Sequence, residues 1–489
     1  MENILTSKND EKKSKNRLSL VTVGHFNSGK STLLGQLLYK VGVIPKIYLD
    51  DYERESKQLF REGFKFAYVM DKDKFARESG VTIQNSIAYM ETKKYEVCLI
   101  DTPGHPDFAI NIIKAANSKD ACLLVISAEE FEDSFKGETK DYPLLMFSLG
   151  IRQLIIGISK LDLTNPKYSE NVFNNVVSQM IPYLLKIGFQ KENLEFVPMS
   201  GIVGDNLTEK SDNLSWFKGP TLIEAINSLK KIKPNESEAL RFHAFEKISY
   251  AKVKKYICIS ITSGTLKLGM KINLNKIKYI CTSIQVNTKE LTEAYTGEIV
   301  LVKLEERSDD EVNENDKDKG SKTNHKQQEK LKKKQEKQER KDADSGRENL
   351  FGYNKGFKVK KVESFNAQLL VTNWRGKYTN KYVPKVVIGG SAFLNCKMYV
   401  LKRSKFKTGE SVDKDNVVKD SEPFFKNCEL VEVKFTPLKP KFPIEVYNDN
   451  PNLGRIIVRD DVSTVCVGKV LSVEYKPEET KKLKKKDKK

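Results

Sequence analysis

From Leu18 to about Leu229, short apolar runs alternate with segments whose leucines recur at helical spacing. Leu18–Gly24 reads as a buried strand and Lys30–Tyr39 as a helix with leucines on one face; Val97–Asp101, Ala121–Ser127 and Leu154–Ser159 read as further strands. Strands that are apolar throughout and joined by helices indicate a doubly wound, mostly parallel α/β sheet. The polar, proline-containing stretch Lys230–Glu238 reads as a linker. Beyond it the helical spacing fades. Tyr256–Ile261, Met270–Leu274, Ile299–Leu304, Ala367–Thr372, Val383–Ile388, Leu430–Phe435 and Thr464–Val473 look like short strands separated by turns, a pattern that suggests two all-β barrels. The expected division is a disordered basic start at 1–17, the α/β domain at 18–230, one barrel at 231–357, a second at 358–475, and a basic tail at 476–489.

Composition narrows the class. A chain of 489 residues has room for about three domains, each with its own core. No apolar run approaches the ~18–20 residues of a membrane span, and the longest is Ala121–Ala128. Met1–Arg17 is polar and lysine-rich, without the apolar core of a signal peptide. The seven cysteines are scattered without CxxC pairs, which argues against a zinc ribbon or disulfide scaffold and for a reducing compartment. The expectation is a soluble, cytoplasmic protein with no membrane partner.

The formal charge of +19 is unevenly placed. Residues 305–348 hold 13 basic and 14 acidic side chains with only Val312, Leu331 and Ala343 apolar, so this insertion into the first barrel is expected to be disordered. Residues 351–410 hold 13 basic side chains against Glu363 and Glu410 alone. Tyr353, Phe357, Trp374, Tyr378 and Tyr382 are interleaved with Lys355, Lys358, Arg375, Lys377 and Lys381. Two readings stay open: a polyanion-binding face, or solvated lysines on barrel strands whose aromatics fill the core.

Gly24-His25-Phe26-Asn27-Ser28-Gly29-Lys30-Ser31 matches G-x-x-x-x-G-K-[ST] between a strand and a helix. Such a loop curls its backbone N–H groups around phosphates, while Lys30 reaches the β- and γ-phosphates and the Ser31 hydroxyl ligates Mg²⁺. Thr32 continues the helix. Asp101-Thr102-Pro103-Gly104-His105 follows a second buried strand, where Asp101 can hold Mg²⁺ through water and Gly104 can approach the γ-phosphate. His105 is placed to orient an attacking water, although a lone loop histidine is more often simply exposed. Ser159-Lys160-Leu161-Asp162 ends a third strand; Asp162 can accept from guanine N1–H and its exocyclic amine, and the Lys160 stem can lie along the base. Ser200-Gly201 can offer a backbone N–H to the base oxygen.

With these motifs in hand, the chain resembles eukaryotic elongation factor 1-alpha, among the translational GTPases that include release factor 3. The resemblance runs from about Leu18 to Val473 outside the insertion. It includes Phe64–Lys72, Gly80–Ile83, Gly204-Asp205-Asn206, Trp216–Leu222 and Leu453–Gly468. It implies a GTP/GDP and Mg²⁺ site, Thr82 as the switch threonine that senses Mg²⁺ and the γ-phosphate, and His105 as the residue that orients catalytic water. The implied partners are aminoacyl-tRNA, the ribosome and a guanine-nucleotide exchange factor, with actin or another acidic filament as a further one. Several positions depart from the family. Ser159 stands where the guanine motif has Asn and loses a bond to base N7; Asn27 replaces an Asp, and Pro106 an Arg. In the first barrel the G-R-V turn reads Ile259-Ser260-Ile261, and in the second a His-containing segment reads Gly389–Ala392. The leading expectation is a GTP-hydrolysing translation factor. The alternative is a structural paralogue that binds nucleotide weakly and acts on RNA or filaments.

Overall fold

The computed structural model describes residues 16–105, 108–135, 138–232, 239–250, 254–274, 277–286, 289–306, 350–354, 360–372, 374, 382–389, 392–405, 425, 429–438, 443–460 and 464–476. The expected linker at 233–238, nearly all of the insertion and the tail beyond 476 lie outside the described residues. The chain divides into two compact units, 1–147 with 151–233, and 148–150 with 234–489.

Six strands build the first unit: β1 (Asn16–Val23), β2 (Ser86–Glu91), β3 (Tyr95–Asp101), β4 (Ala121–Ser127), β5 (Leu154–Ser159) and β6 (Leu194–Pro198). They lie in the order β2-β3-β1-β4-β5-β6, all parallel except β2, which runs antiparallel to β3. Asn16 and Arg17 already pair with Tyr95 and Glu96, so the first strand begins inside the segment expected to be disordered. Backbone pairing extends the strand where no apolar signal marks it.

Between β1 and β2 come four helices: α1 (Lys30–Lys40), α2 (Lys46–Gln58), α3 (Ala67–Met70) and α4 (Lys74–Ser79). Leu33, Leu34, Leu37 and Leu38 of α1 are fully buried against Leu18 and Leu20 of β1, Leu99 of β3 and Leu123 of β4. Gly35 sits on this helix where α3 comes closest; a Cβ there would lie 1.9 Å from the Phe66 carbonyl oxygen. The missing side chain sets the distance between α1 and α3. It thereby places Asp71, the residue that follows α3.

The second unit contains two rings of strands. In the first, Lys271–Leu274, Leu350–Asn354, Arg241–Tyr250, Lys254–Ser263, Ile299–Glu306 and Ile277–Val286 pair in that order, and Lys271–Leu274 pairs again with Ile277–Val286 to close the ring. Glu305 and Glu306 belong to its strand rather than to the insertion. In the second, Val362–Val371, Glu429–Pro437, Ala392–Lys405, Lys385–Ile388, Arg455–Arg459 and Thr464–Tyr475 form a closed barrel. Closure leaves no unpaired edge in such a small sheet. An ion pair between Arg241 and Glu445, and a 2.8 Å bond from Asn452 Nδ2 to the Thr262 carbonyl, fasten the rings together.

Of the aromatics counted toward a polyanion-binding face, Tyr353, Trp374 and Tyr382 pack against the second barrel's core; Phe357 and Tyr378 lie outside the described residues. Among the described residues no helix is long and apolar enough to cross a membrane.

Candidate active site

β1 ends at Val23 and α1 begins at Lys30, so six residues must redirect the chain onto the helix. Left-handed backbone at Asn27 (φ 60°) and at the N-cap Gly29 (φ 89°) makes the bend. The Lys30 side chain folds back across the loop. Its ammonium donates to the carbonyls of Gly24 at 2.9 Å and His25 at 2.8 Å. A buried cation above curled backbone at a helix N-terminus is the physical form of a phosphate site. Ser28 is buried beneath it, and Thr32 follows in the first turn of α1.

Gly104 closes the other side. A Cβ there would lie 2.4 Å from Lys30 Nζ and 2.9 Å from the Phe26 nitrogen, so only glycine lets this backbone reach the loop. Tyr142 Oη donates to the Gly104 carbonyl at 3.0 Å and holds it there. His105 is half-buried, edge-on to the Phe26 ring at 6.3 Å between centroids and 6.0 Å from the Phe108 ring. Neither aromatic stands out in the sequence, because each gains meaning only from the histidine it touches. Pro106 lies outside the described residues.

Three residues expected at the metal meet directly. Ser31 Oγ donates to Asp101 Oδ2 at 2.6 Å and lies 3.1 Å from Thr82 Oγ1. A fourth joins them: Thr82 Oγ1 donates to Asp71 Oδ1 at 2.9 Å. Burial pushes the Asp101 carboxyl up to about 7, against the pull of Ser31 and Lys30. Burial raises Asp71 as well. Asp101 Oδ1 is buried without a hydrogen-bond partner. An orphaned carboxylate oxygen beside two hydroxyls and a second carboxylate is an all-oxygen donor set, which fits Mg²⁺. Among the described residues no cluster of three His, Cys, Asp or Glu offers a different kind of metal site.

Of the residues expected at the base, Ser159 and Gly201 meet the phosphate loop and α1. Ser159 is buried, and its hydroxyl donates to the Ser28 carbonyl at 2.6 Å, with the Ile126 carbonyl at 3.1 Å. It braces the phosphate loop from below. Lys160, in left-handed backbone at φ 59°, makes an ion pair with Glu130 at 3.5 Å. Asp162 lies in the single turn Leu161–Leu163. Gly201 rests on α1, where a Cβ would come 3.3 Å from the backbone of Leu33. Ser200 beside it is fully buried.

Residues 15–271 match the family described as elongation factor Tu GTP binding domain, and residues 364–471 match the GTP-eEF1A C-terminal domain-like family. Elongation factor 1-alpha 2 of Euplotes crassus is 32% identical over 486 residues, covering 97% of this chain and all of that protein. The chain belongs to the translational GTPases. Two solved structures share the fold. The GTPase-like domain of S. cerevisiae Ski7, bound to GTP, superimposes with a TM-score of 0.68 at 18% identity, over 94% of this chain and 97% of that one. Elongation factor SelB of Methanococcus maripaludis gives 0.58 at 16% identity, over 95% and 81%.

One family departure lies on a strand, as the apolar run Tyr256–Ile261 predicts. Ile259-Ser260-Ile261 lies inside the strand Lys254–Ser263, with Ser260 opposite His243 and Ile299. All three residues are buried. In this translational GTPase the segment is a buried strand rather than a loop.

Proposed function

We propose that this GTPase carries an aminoacyl-tRNA, or a partner shaped like one, to the ribosome while GTP is bound, as a cytoplasmic factor recharged by a guanine-nucleotide exchange factor. The loop Gly24–Gly29 with Lys30 holds the β- and γ-phosphates, and Asp162 with the Ser200–Gly201 backbone holds guanine. Ser31, Thr82 and Asp101 would hold Mg²⁺, which would supply charge neutralisation at the phosphate oxygens. His105 orients the attacking water, and the Gly104 N–H faces the γ-phosphate. Catalysis of this kind is mostly positioning and electrostatic stabilisation, which a loop of backbone N–H groups and one lysine can supply.

What supports the reading above all is the junction of Ser31, Thr82 and Asp101. Thr82 comes from a segment that follows four helices and an exposed surface, yet its hydroxyl meets the phosphate-loop serine. A threonine delivered to the phosphate-loop serine from a separate segment is placed to respond to a γ-phosphate and metal bound there. The test is co-sedimentation of the purified protein with charged tRNA. Capture with GTP and not with GDP is the expected result; no capture with either nucleotide would contradict tRNA delivery.

A further inference from the structure

The two loops assigned above to the base are joined through one carboxylate. Tyr168 Oη donates to Asp205 Oδ2 at 2.7 Å, Ser211 Oγ donates to Asp205 Oδ1 at 2.8 Å, and Asn213 Nδ2 to Oδ2 at 3.3 Å. The backbone carbonyl of the same Asp205 accepts from Ser200 N at 3.4 Å, and Gly204 N donates to the Ser200 carbonyl at 2.9 Å. On the other side, Tyr168 N donates to the Leu161 carbonyl at 2.7 Å and so closes the loop that carries Asp162. Trp216 Nε1 donates to the Tyr168 carbonyl at 2.9 Å, and its ring packs on Phe173 at 5.3 Å. Tyr168 holds left-handed backbone at φ 56°, a conformation that needs such support in a non-glycine residue.

We propose that Asp205 and Tyr168 are positioning residues for guanine recognition: their hydrogen bond sets the spacing between Asp162 and the Ser200–Gly201 backbone. The inference rests on the assignment of those two elements to the base. Neither Asp205 nor Tyr168 is assigned a contact with the nucleotide. Each acts by locking a loop that carries one. Guanine is distinguished from hypoxanthine by its exocyclic amine alone, and a carboxylate gains from that amine only if it sits in line with both donors of the base edge. A loop free to drift keeps the N1–H bond and loses the second one. The phosphate contacts, fixed by Lys30 and α1, are untouched by such drift.

The experiment is equilibrium binding of GTP, ITP and XTP to the full-length protein, with ribosome-stimulated hydrolysis at saturating GTP as a second readout. Two variants are compared with the wild type. Asp162→Asn tests the assignment of the base site itself: its amide donates to the C2 oxygen of xanthine, so preference should move from GTP to XTP. Tyr168→Phe is nearly isosteric and removes only the phenol-to-carboxylate bond. It should weaken GTP binding about fivefold, the loss of roughly one net hydrogen bond, while ITP binding changes little, so that the GTP-to-ITP ratio falls toward one. Turnover at saturating GTP should stay at the wild-type level. Trp216→Phe, which releases the Tyr168 carbonyl, should shift the ratio the same way. If Asp162→Asn leaves base preference unchanged, the base-site assignment fails. If it switches preference but Tyr168→Phe and Trp216→Phe keep the wild-type GTP-to-ITP ratio, or lower both affinities equally, the positioning role is overturned and the network only stabilises the fold.

Discussion

The hydroxyl of Ser159 donates to the carbonyl of Ser28 at 2.6 Å, joining the end of β5 to the phosphate loop across 131 residues of sequence. Both residues are buried, so this bond fixes the height of the loop above the sheet. Ser159→Ala removes the donor and leaves the buried Ser28 carbonyl short of this partner. Nucleotide affinity should fall by about 1 kcal/mol, roughly fivefold, with GTP and GDP affected alike because the loop serves both. Competition titrations with a fluorescent GDP analogue measure this directly. An unchanged affinity would mean that the loop holds its shape without the brace.

Asp71 should govern the difference between the two nucleotide states. It accepts from Thr82, and its position depends on the close approach of α3 to Gly35. Asp71→Ala should weaken Mg²⁺-dependent GTP binding more than GDP binding, because only the GTP state needs Thr82 in place. Gly35→Ala should act on the same contact through the backbone, and also cost about 1–3 kcal/mol of stability by overpacking. Parallel losses of GTP and GDP affinity in Asp71→Ala would separate Asp71 from the switch.

The strands around the phosphate loop are plain in the sequence because they are apolar from end to end. β1, β3, β4 and β5 begin and end within a residue or two of the apolar runs. β2 is not plain: it lies at the sheet edge, and most of its residues are half-buried, so no run marks it. Helix α2 buries only Leu49 and Ser56 and therefore has no stripe to find. The barrel strands Arg241–Tyr250 and Ala392–Lys405 carry charges among their apolar residues, which hides them from a search for apolar runs. At the site, Lys30, Ser31, Asp101, Gly104 and His105 were legible because each sits in a motif of fixed spacing. Asp71, Tyr142, Tyr168 and Asp205 were not. Their roles depend on partners brought close by the fold, and no local pattern records that.

The buried Asp101 gives the nucleotide-free, metal-free protein a pH dependence of its own. Its carboxyl is raised by burial to about 7, above its unfolded value, so the folded state binds the proton more tightly. Stability from this group is therefore greatest at low pH and declines as pH rises from about 4 to about 7. Asp101→Asn should remove that slope and raise the melting temperature at pH 8 when Mg²⁺ and nucleotide are absent, while abolishing the gain that Mg²⁺ with GTP gives the wild type. Thermal melts at pH 6 and pH 8 test both halves. A wild-type protein that is no less stable at pH 8 than at pH 6 would contradict the account of Asp101.

In the second barrel, Arg403 and Glu429 form an ion pair at 2.8 Å with side chains 3% and 5% exposed, and the guanidinium lies 5.0 Å from the Phe425 ring. Glu429→Leu would leave the guanidinium buried without its carboxylate and should destabilise the barrel by about 3–5 kcal/mol. Adding Arg403→Met should recover much of the loss, because an apolar pair of similar volume avoids the desolvation cost. Denaturant titrations of the single and double variants decide it. A double variant no more stable than Glu429→Leu would show that the pair is needed for packing beyond its charge.

The proposed role of His105 is to orient the water for GTP hydrolysis on the ribosome. The most direct measurement is single-turnover GTP hydrolysis by wild type and His105→Ala, each with and without ribosomes, alongside GTP affinity. Expected are slow hydrolysis alone, a large rise with ribosomes in the wild type, and loss of that rise in His105→Ala with GTP affinity unchanged. A wild-type rate indifferent to ribosomes would contradict ribosome-stimulated hydrolysis, and a His105→Ala rate equal to the wild type's would remove His105 from the chemistry.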